Sequence, residues 1–358
     1  MGYNHQQLKK LFYPILFSFI GLIMQFNCFP VLGQKLESQY MTEFNSGDSI
    51  YIITNREDTA GKNSLNLINA IRESKNLIFL KATFYQPDSL ITEIIDSVSF
   101  LNQISSIYKD FLLFVHGDSK TYEQAVMRGL DIQKLYGARV IVFSWPTKDI
   151  DLNGIKNFKN SKKNAVKSDV HFVKLIGIMK SFREYSEYIP DKKLSLLFHS
   201  LGNSLIMNYA LCDSCVKSNS LIFDNIILNS AAVNQLNHKF WVEKLNFQER
   251  IYITSNKSDF NLKGVRIFTK DGKQLGEKVK APYAENAEYL NFSKAVGFRT
   301  PTGTTHTFFI GEVPDLNKNI YNIYNKLFHG KRLDLSNTGV YLKRKDGYCY
   351  DIVKTKIK

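Results

Sequence analysis

A serine that is to act as a nucleophile needs a turn sharp enough to lift its hydroxyl clear of the backbone. Leu194-Ser-Leu-Leu-Phe-His-Ser-Leu-Gly-Asn-Ser204 has the makings of one: an apolar run ends at Phe198-His199-Ser200-Leu201-Gly202, and a helix pattern begins at once. Such a strand, turn and helix expose a serine hydroxyl above the end of a sheet and leave the next backbone N–H facing the same space. Small residues usually flank the turn; Gly202 keeps one of them, whereas Phe198 stands where the first glycine of a G-x-S-x-G signature is expected. Ser200 is the candidate nucleophile, and the Leu201 N–H is a candidate donor to a developing oxyanion.

Upstream, Leu112-Leu-Phe-Val-His-Gly-Asp118 is a second apolar run ending in His-Gly. Gly117 would let the backbone approach negative charge closely, which makes the Asp118 N–H the second candidate donor. A serine nucleophile also needs an imidazole to take its proton and an acid to orient that imidazole. Three histidines follow Ser200: His238, His306 and His329. His238 precedes the last two expected strands and His329 sits in a late helical stretch, Ile320 to Phe328. His306 follows the final expected strand in the loop Thr302-Gly-Thr-Thr-His-Thr-Phe308, so position selects it. For the acid, Asp259 lies just past the apolar run Ile251 to Thr254, while Asp271 and Glu285 lie farther from a strand end. His116 and His199 are read as supporting groups lining the site, together with Gly117 and Gly202.

These groups can converge only if strand ends present them side by side. Strands are expected over Ser49–Thr54, Asn76–Ala82, Phe111–Val115, Arg139–Ser144, Leu194–Phe198, Asn225–Leu228, Ile251–Thr254 and Glu288–Phe292. Several are continuous apolar runs, as in strands covered on both faces. Helical patterns fall between them at Thr121–Leu135, Phe172–Tyr188 and Gly202–Leu211. The alternation predicts an α/β fold, a mostly parallel central sheet flanked by helices. Asp151 to Asp169 interrupts it with Lys156, Lys159, Lys162, Lys163 and Lys167, and is expected to be a solvated surface segment.

Taken in order, Thr54-Asn-Arg56, Phe114-Val-His-Gly117, Val142-Phe-Ser-Trp-Pro146, Phe198-His-Ser-Leu-Gly202, the Asp259 loop and His306-Thr-Phe-Phe309 resemble the α/β-hydrolase family known as domain of unknown function 900. The resemblance covers about residues 49 to 310. It implies the α/β-hydrolase fold, with Ser200, Asp259 and His306 at the family's triad positions. Phe198 departs from the family pattern, and so does Asn229-Ser-Ala-Ala232, where the family tends to carry Pro-Asp.

Composition bounds what surrounds this machinery. The chain has 358 residues, 44% hydrophobic and 22% charged, which excludes intrinsic disorder and collagen-like structure. Forty-seven Lys and Arg against 33 Asp and Glu give a formal charge of +14, so anionic partners come into view. Lys9 and Lys10 precede an apolar run from Leu11 to Met24, and no further charge appears before Lys35. Val31 and Gly33 suit the −3 and −1 positions of signal-peptidase cleavage, so the mature start is expected near Gln34. An uncleaved anchor over Leu11–Gly33 is the alternative. A lipoprotein site at Cys28 fails because Gln25, Phe26 and Asn27 are not small. The expected organisation is a leader over 1–33, a polar lead over 34–48, the hydrolase domain over 49–330 and a basic tail over 331–358. Cys212-Asp-Ser-Cys215 lacks further ligands for a metal, so in an exported chain a local disulfide is expected there, with two free thiols as the alternative; Cys349 stays unassigned.

The function expected from this reading is an exported serine esterase or lipase. It would act on a small-molecule or lipid-like ester, require neither metal nor organic cofactor, and touch an anionic surface through its basic segments. A catalytically idle hydrolase fold used for binding at the cell envelope is the opposing reading. No zinc-finger or RNP-like motif supports a specific nucleic-acid partner.

Overall fold

The computed structural model describes residues 47–57, 73–85, 89–149, 151–185, 192–212, 215, 220–297 and 305–355. The expected leader and nearly all of the polar lead lie outside the described residues. The described residues fall into two compact units, 47–48 with 84–85 and 89–90, and the rest. In the first, Gly47 N–H donates to Phe84 O (2.8 Å) and Phe84 N–H to Asp48 O (2.7 Å). The candidate site belongs to the second.

The strands are β1 (Ser49–Arg56), β2 (Glu73–Tyr85), β3 (Ser89–Ile95), β4 (Phe111–Val115), β5 (Arg139–Ser144), β6 (Leu194–His199), β7 (Phe223–Asn229), β8 (Gln248–Ser255), β9 (Ala287–Asn291), β10 (Tyr341–Lys343) and β11 (Cys349–Ile352). They form one sheet in the order β10-β11-β9-β8-β7-β6-β4-β5-β1-β2-β3. From β1 through β5, β4, β6, β7, β8 and β9 to β11 every pairing is parallel. Antiparallel partners flank this block, β2 on β1 and β10 on β11. Every residue of β4, β6 and β7 is buried, which accounts for the apolar runs Phe111–Val115, Leu196–Phe198 and Ile226–Leu228.

The helices are α1 (Ser97–Ser105), α2 (Tyr122–Tyr136), α3 (Gly154–Lys167), α4 (Asp169–Tyr185), α5 (Asn203–Leu211), α6 (His238–Val242), α7 (Phe260–Thr269), α8 (Glu312–Leu316) and α9 (Lys318–Phe328). After β4 the chain leaves for β5 on one side and then returns to β6 on the other. In parallel α/β sheets a crevice opens outside the carboxyl ends of the strands where the order reverses in this way. The loops after β4 and β6 therefore face a common space. A Thr121-x-x-Gln124 capping box starts α2 and fixes where the first of those loops ends.

Two expectations are corrected. Asp151 to Asp169 is not a plain surface segment but contains α3, whose lysines are exposed while Asn157, Phe158, Ser161, Asn164 and Ala165 are buried. Nor is the stretch after 331 a solvated tail, because β10 and β11 extend the sheet beyond β9. Cys349 is buried, and Asp351 accepts from Asn291 Nδ2 (2.5 Å) and Arg344 Nε (2.6 Å). Among the described residues no helix is long and apolar enough to cross a membrane. Cys212 and Cys215 are joined by a disulfide.

Candidate active site

Ser200 follows β6 directly, with φ 53°, in the left-handed region that residues with a Cβ rarely adopt. A conformation of this kind costs on the order of 1–3 kcal/mol and persists only where the surroundings hold it. Here Ser200 O accepts from Ala232 N–H (3.1 Å) and from Asn203 Nδ2 (2.9 Å), and Asn203 also reaches Phe198 O (3.3 Å). Gly202 lets the turn press against β4: a Cβ there would lie 2.7 Å from His116 O and 2.9 Å from Val115 O. At Gly117 a Cβ would lie 2.7 Å from Ser200 Cβ. The large residue at 198 does not crowd this turn. Its ring is fully buried and meets Phe172 of α4 edge-on, with centroids 5.6 Å apart.

Asp259 caps α7, accepting from Leu262 N–H through Oδ1 (3.0 Å). Its Oδ2 lies 2.6 Å from His306 Nδ1. A carboxylate accepts, so Nδ1 carries a proton, which in the neutral ring leaves the lone pair on Nε2. Asn256 Nδ2 steadies this arrangement by donating to Thr305 O (2.9 Å). The segment after β7 reaches both halves of the site, since Ser230 Oγ donates to His306 O (3.1 Å) and Ala232 N–H to Ser200 O. The rings of His199 and His306 lie 4.7 Å apart. Among the described residues no hydrogen bond joins Ser200 Oγ to His306 Nε2; such bonds often tighten only around substrate.

The other histidines and acids are engaged elsewhere. His238 binds Gln235 O (2.8 Å) and the Tyr289 hydroxyl (3.0 Å). His329 pairs with Asp110 (2.7 Å), which precedes β4 and so lies at the opposite end of the sheet. Asp271 binds Lys162 (2.7 Å) and Glu285 binds Lys239 (3.1 Å). His116 is held on both nitrogens, Nδ1 at 2.8 Å from Gly117 O and Nε2 at 3.2 Å from Trp145 N–H. Burial, with Arg56 adding to it, drives the His116 pKa well below the usual range, so the ring is neutral.

In the loops after β4 and β6, neither the Asp118 nor the Leu201 N–H has an acceptor among the described residues. Burial raises the pKa of the Asp118 carboxyl, which binds Ser119 Oγ (3.0 Å) and Asn157 Nδ2 (3.0 Å). Asn157 also donates to Thr147 O (2.8 Å) and accepts from Asp149 N–H (2.8 Å), so α3 ties the loop after β4 to the loop after β5. Sequence reading missed Asn157, since an amide among lysines carries no signal. It also assigned no site role to Asn229, whose Nδ2 lies 3.1 Å from His199 Nδ1, or to Tyr324, whose hydroxyl donates to Asn229 Oδ1. Among the described residues no group of three His, Cys, Asp or Glu could hold a metal ion.

The family model for alpha/beta hydrolase of unknown function matches residues 96–301, a stretch that includes Ser200 and Asp259 and ends before His306. A search of curated proteins finds no match. Among solved structures, an esterase of Pyrobaculum calidifontis is similar at 10% identity and a TM-score of 0.38, over 82% of this chain and 91% of that one.

Proposed function

Because this chain belongs to the family described as alpha/beta hydrolase of unknown function, we propose that it is an exported serine hydrolase of the esterase or lipase type. The observation that carries the reading is the left-handed Ser200 at the end of β6, together with a His306 whose Nδ1 is held by Asp259. In the proposed cycle Ser200 Oγ attacks an ester carbonyl while His306 Nε2 takes the hydroxyl proton. The oxyanion so formed is met by the N–H groups of Leu201 and Asp118. The tetrahedral carbon then expels the alcohol, which leaves with the proton from His306. Water, deprotonated by the same imidazole, releases the acid and restores the serine.

Export is supported by the Lys9-Lys10 run with its apolar follower, and the Cys212–Cys215 disulfide suits an oxidising compartment. The test is labelling with a fluorophosphonate probe. Wild-type protein should be labelled at Ser200 and Ser200→Ala should not. A folded wild-type chain that resists the probe and cleaves no acyl p-nitrophenyl ester would instead favour the idle envelope-binding reading.

A further inference from the structure

The outer face of α3 and α4 has no role in the chemistry above, yet its residues follow a pattern. Ser168, the single residue between the two helices, carries helical bonding across the junction: its N–H donates to Asn164 O and its O accepts from Phe172 N–H, both at 2.9 Å. Side chains therefore keep the 3.6-residue period from one helix into the next. Lys156, Lys159, Lys163, Val166, Val170 and Val173 recur at that period on the exposed side, and Lys174 extends the row. Val166 and Val170 are each 63% exposed. The only carboxylate from 154 to 183 is Asp169, and it turns away to accept from Asn208 Nδ2 (3.1 Å). Lys162 and Lys167 face Asp271 and Glu73, but Lys156, Lys159, Lys163 and Lys174 have no acidic partner among the described residues.

We propose that this face docks on an anionic lipid surface. Lysines flanking exposed valines along one helical stripe are what an interfacial helix presents, with the aliphatic side chains sunk among acyl chains and the ammonium groups at the headgroups. A soluble polyanion would satisfy the lysines and give the valines nothing. The inner face of the same helix, through Asn157, holds the loop after β4, so docking here would bring the mouth of the crevice close to the lipid. The inference is independent of the chemistry proposed for Ser200.

The test is co-sedimentation of the full chain with phosphatidylcholine vesicles, with and without phosphatidylglycerol. Every variant is compared with wild type, which shares the apolar run Leu11–Met24, so binding by that run is common to both arms. At about fivefold per lysine, Lys156→Gln/Lys159→Gln/Lys163→Gln should lower the anionic-to-neutral ratio by about a hundredfold. Val166→Ser/Val170→Ser should weaken binding to the anionic vesicles roughly tenfold, and raised salt should not abolish that loss. All the substituted positions are exposed, and unchanged thermal melting serves as the folding control. Ser200→Ala should bind as wild type does, which separates this result from the fate of the catalytic reading. An unchanged ratio in the lysine variant would overturn the proposal. So would a lysine effect without a valine effect, accompanied by equal affinity for dextran sulfate, which would assign the face to a polyanion.

Discussion

Asn229 donates through Nδ2 to His199 Nδ1 at 3.1 Å, and this contact fixes the tautomer of the histidine that precedes Ser200. The amide cannot turn over without loss, because Oδ1 already accepts from the hydroxyls of Thr254 (2.9 Å) and Tyr324. His199 therefore carries its proton on Nε2. Burial, reinforced by the neighbouring His306, pushes its pKa well below the usual range. It is a neutral ring packed against His306 and does not compete with it for a proton.

Ser200→Ala and His306→Ala should each lower kcat by about 10⁴ or more on any ester the protein hydrolyses, and the double variant should lose little further, since triad members act as a unit. Asp259→Asn should be damaging but less so, because it weakens the hold on Nδ1 and leaves the nucleophile in place. Steady-state kinetics on p-nitrophenyl esters decide it. Near-wild-type turnover by Ser200→Ala would remove the serine from the mechanism, and undiminished turnover by Asp259→Asn would move the acid elsewhere.

Gly202→Ala should be far more harmful than an ordinary surface change. The new methyl would meet the backbone oxygens of Val115 and His116, which cannot swing aside as a flexible side chain can. A loss of roughly 1–3 kcal/mol is expected from such overpacking, read in urea denaturation. Gly117→Ala instead presses on Ser200 Cβ, and its expected signature is lost fluorophosphonate reactivity in a chain that still folds.

Asn157→Ala tests whether α3 positions the Asp118 N–H. Leaving its buried partners unsatisfied should cost about 1–3 kcal/mol of stability. If the loop after β4 supplies an oxyanion donor, kcat should also fall, by roughly 10-fold or more, with little change in KM. A drop in Tm with unaltered kcat in the folded protein would restrict Asn157 to a structural role.

The His329–Asp110 pair makes part of the stability depend on pH. Its bond to Asp110 raises the His329 pKa, against the opposing effect of burial. Burial pushes the Asp110 carboxyl up, but hydrogen bonds from His329 and the Lys193 N–H more than reverse this and leave it lowered. The histidine's contribution is full below its unfolded pKa and is lost as pH rises through the raised folded value. The carboxylate's contribution is present above its unfolded pKa and is lost as pH falls through the lowered one. A double-mutant cycle with His329→Ala and Asp110→Ala should give a coupling of up to about 1 kcal/mol near pH 6 that shrinks by pH 9. Equal coupling at both pH values would refute this linkage.

Strands buried on both faces were legible from their apolar runs, unbroken in β4 and reduced to Leu196–Phe198 in β6 and Ile226–Leu228 in β7. Ser200, Asp259 and His306 could be singled out because each follows an apolar strand in a fixed chain order. Helix α3 could not be read, since three of the five residues it buries, Asn157, Ser161 and Asn164, are polar, and periodicity of amides and hydroxyls is invisible to a hydrophobic count. β10 and β11 are 3 and 4 residues long, too short for alternation to show. Phe198 looked like an obstacle at the turn because sequence cannot say that its ring leaves toward Phe172.

The position of β11 has a consequence for biosynthesis. This strand lies parallel beside β9 and joins it to β10, so the sheet is complete only when residues 341–352 have been made. A nascent chain emerges amino end first, and β9 must wait with one row of backbone donors and acceptors unmatched while the rest of the sheet is already assembled. Open edges of this sort invite pairing with foreign chains. With the last strands the open edge passes from β9 to the three-residue β10, too short to offer a foreign chain much to pair with, and protease sensitivity across Ala287–Asn291 in ribosome-stalled chains lacking Tyr341–Ile352 is where the delay would be read.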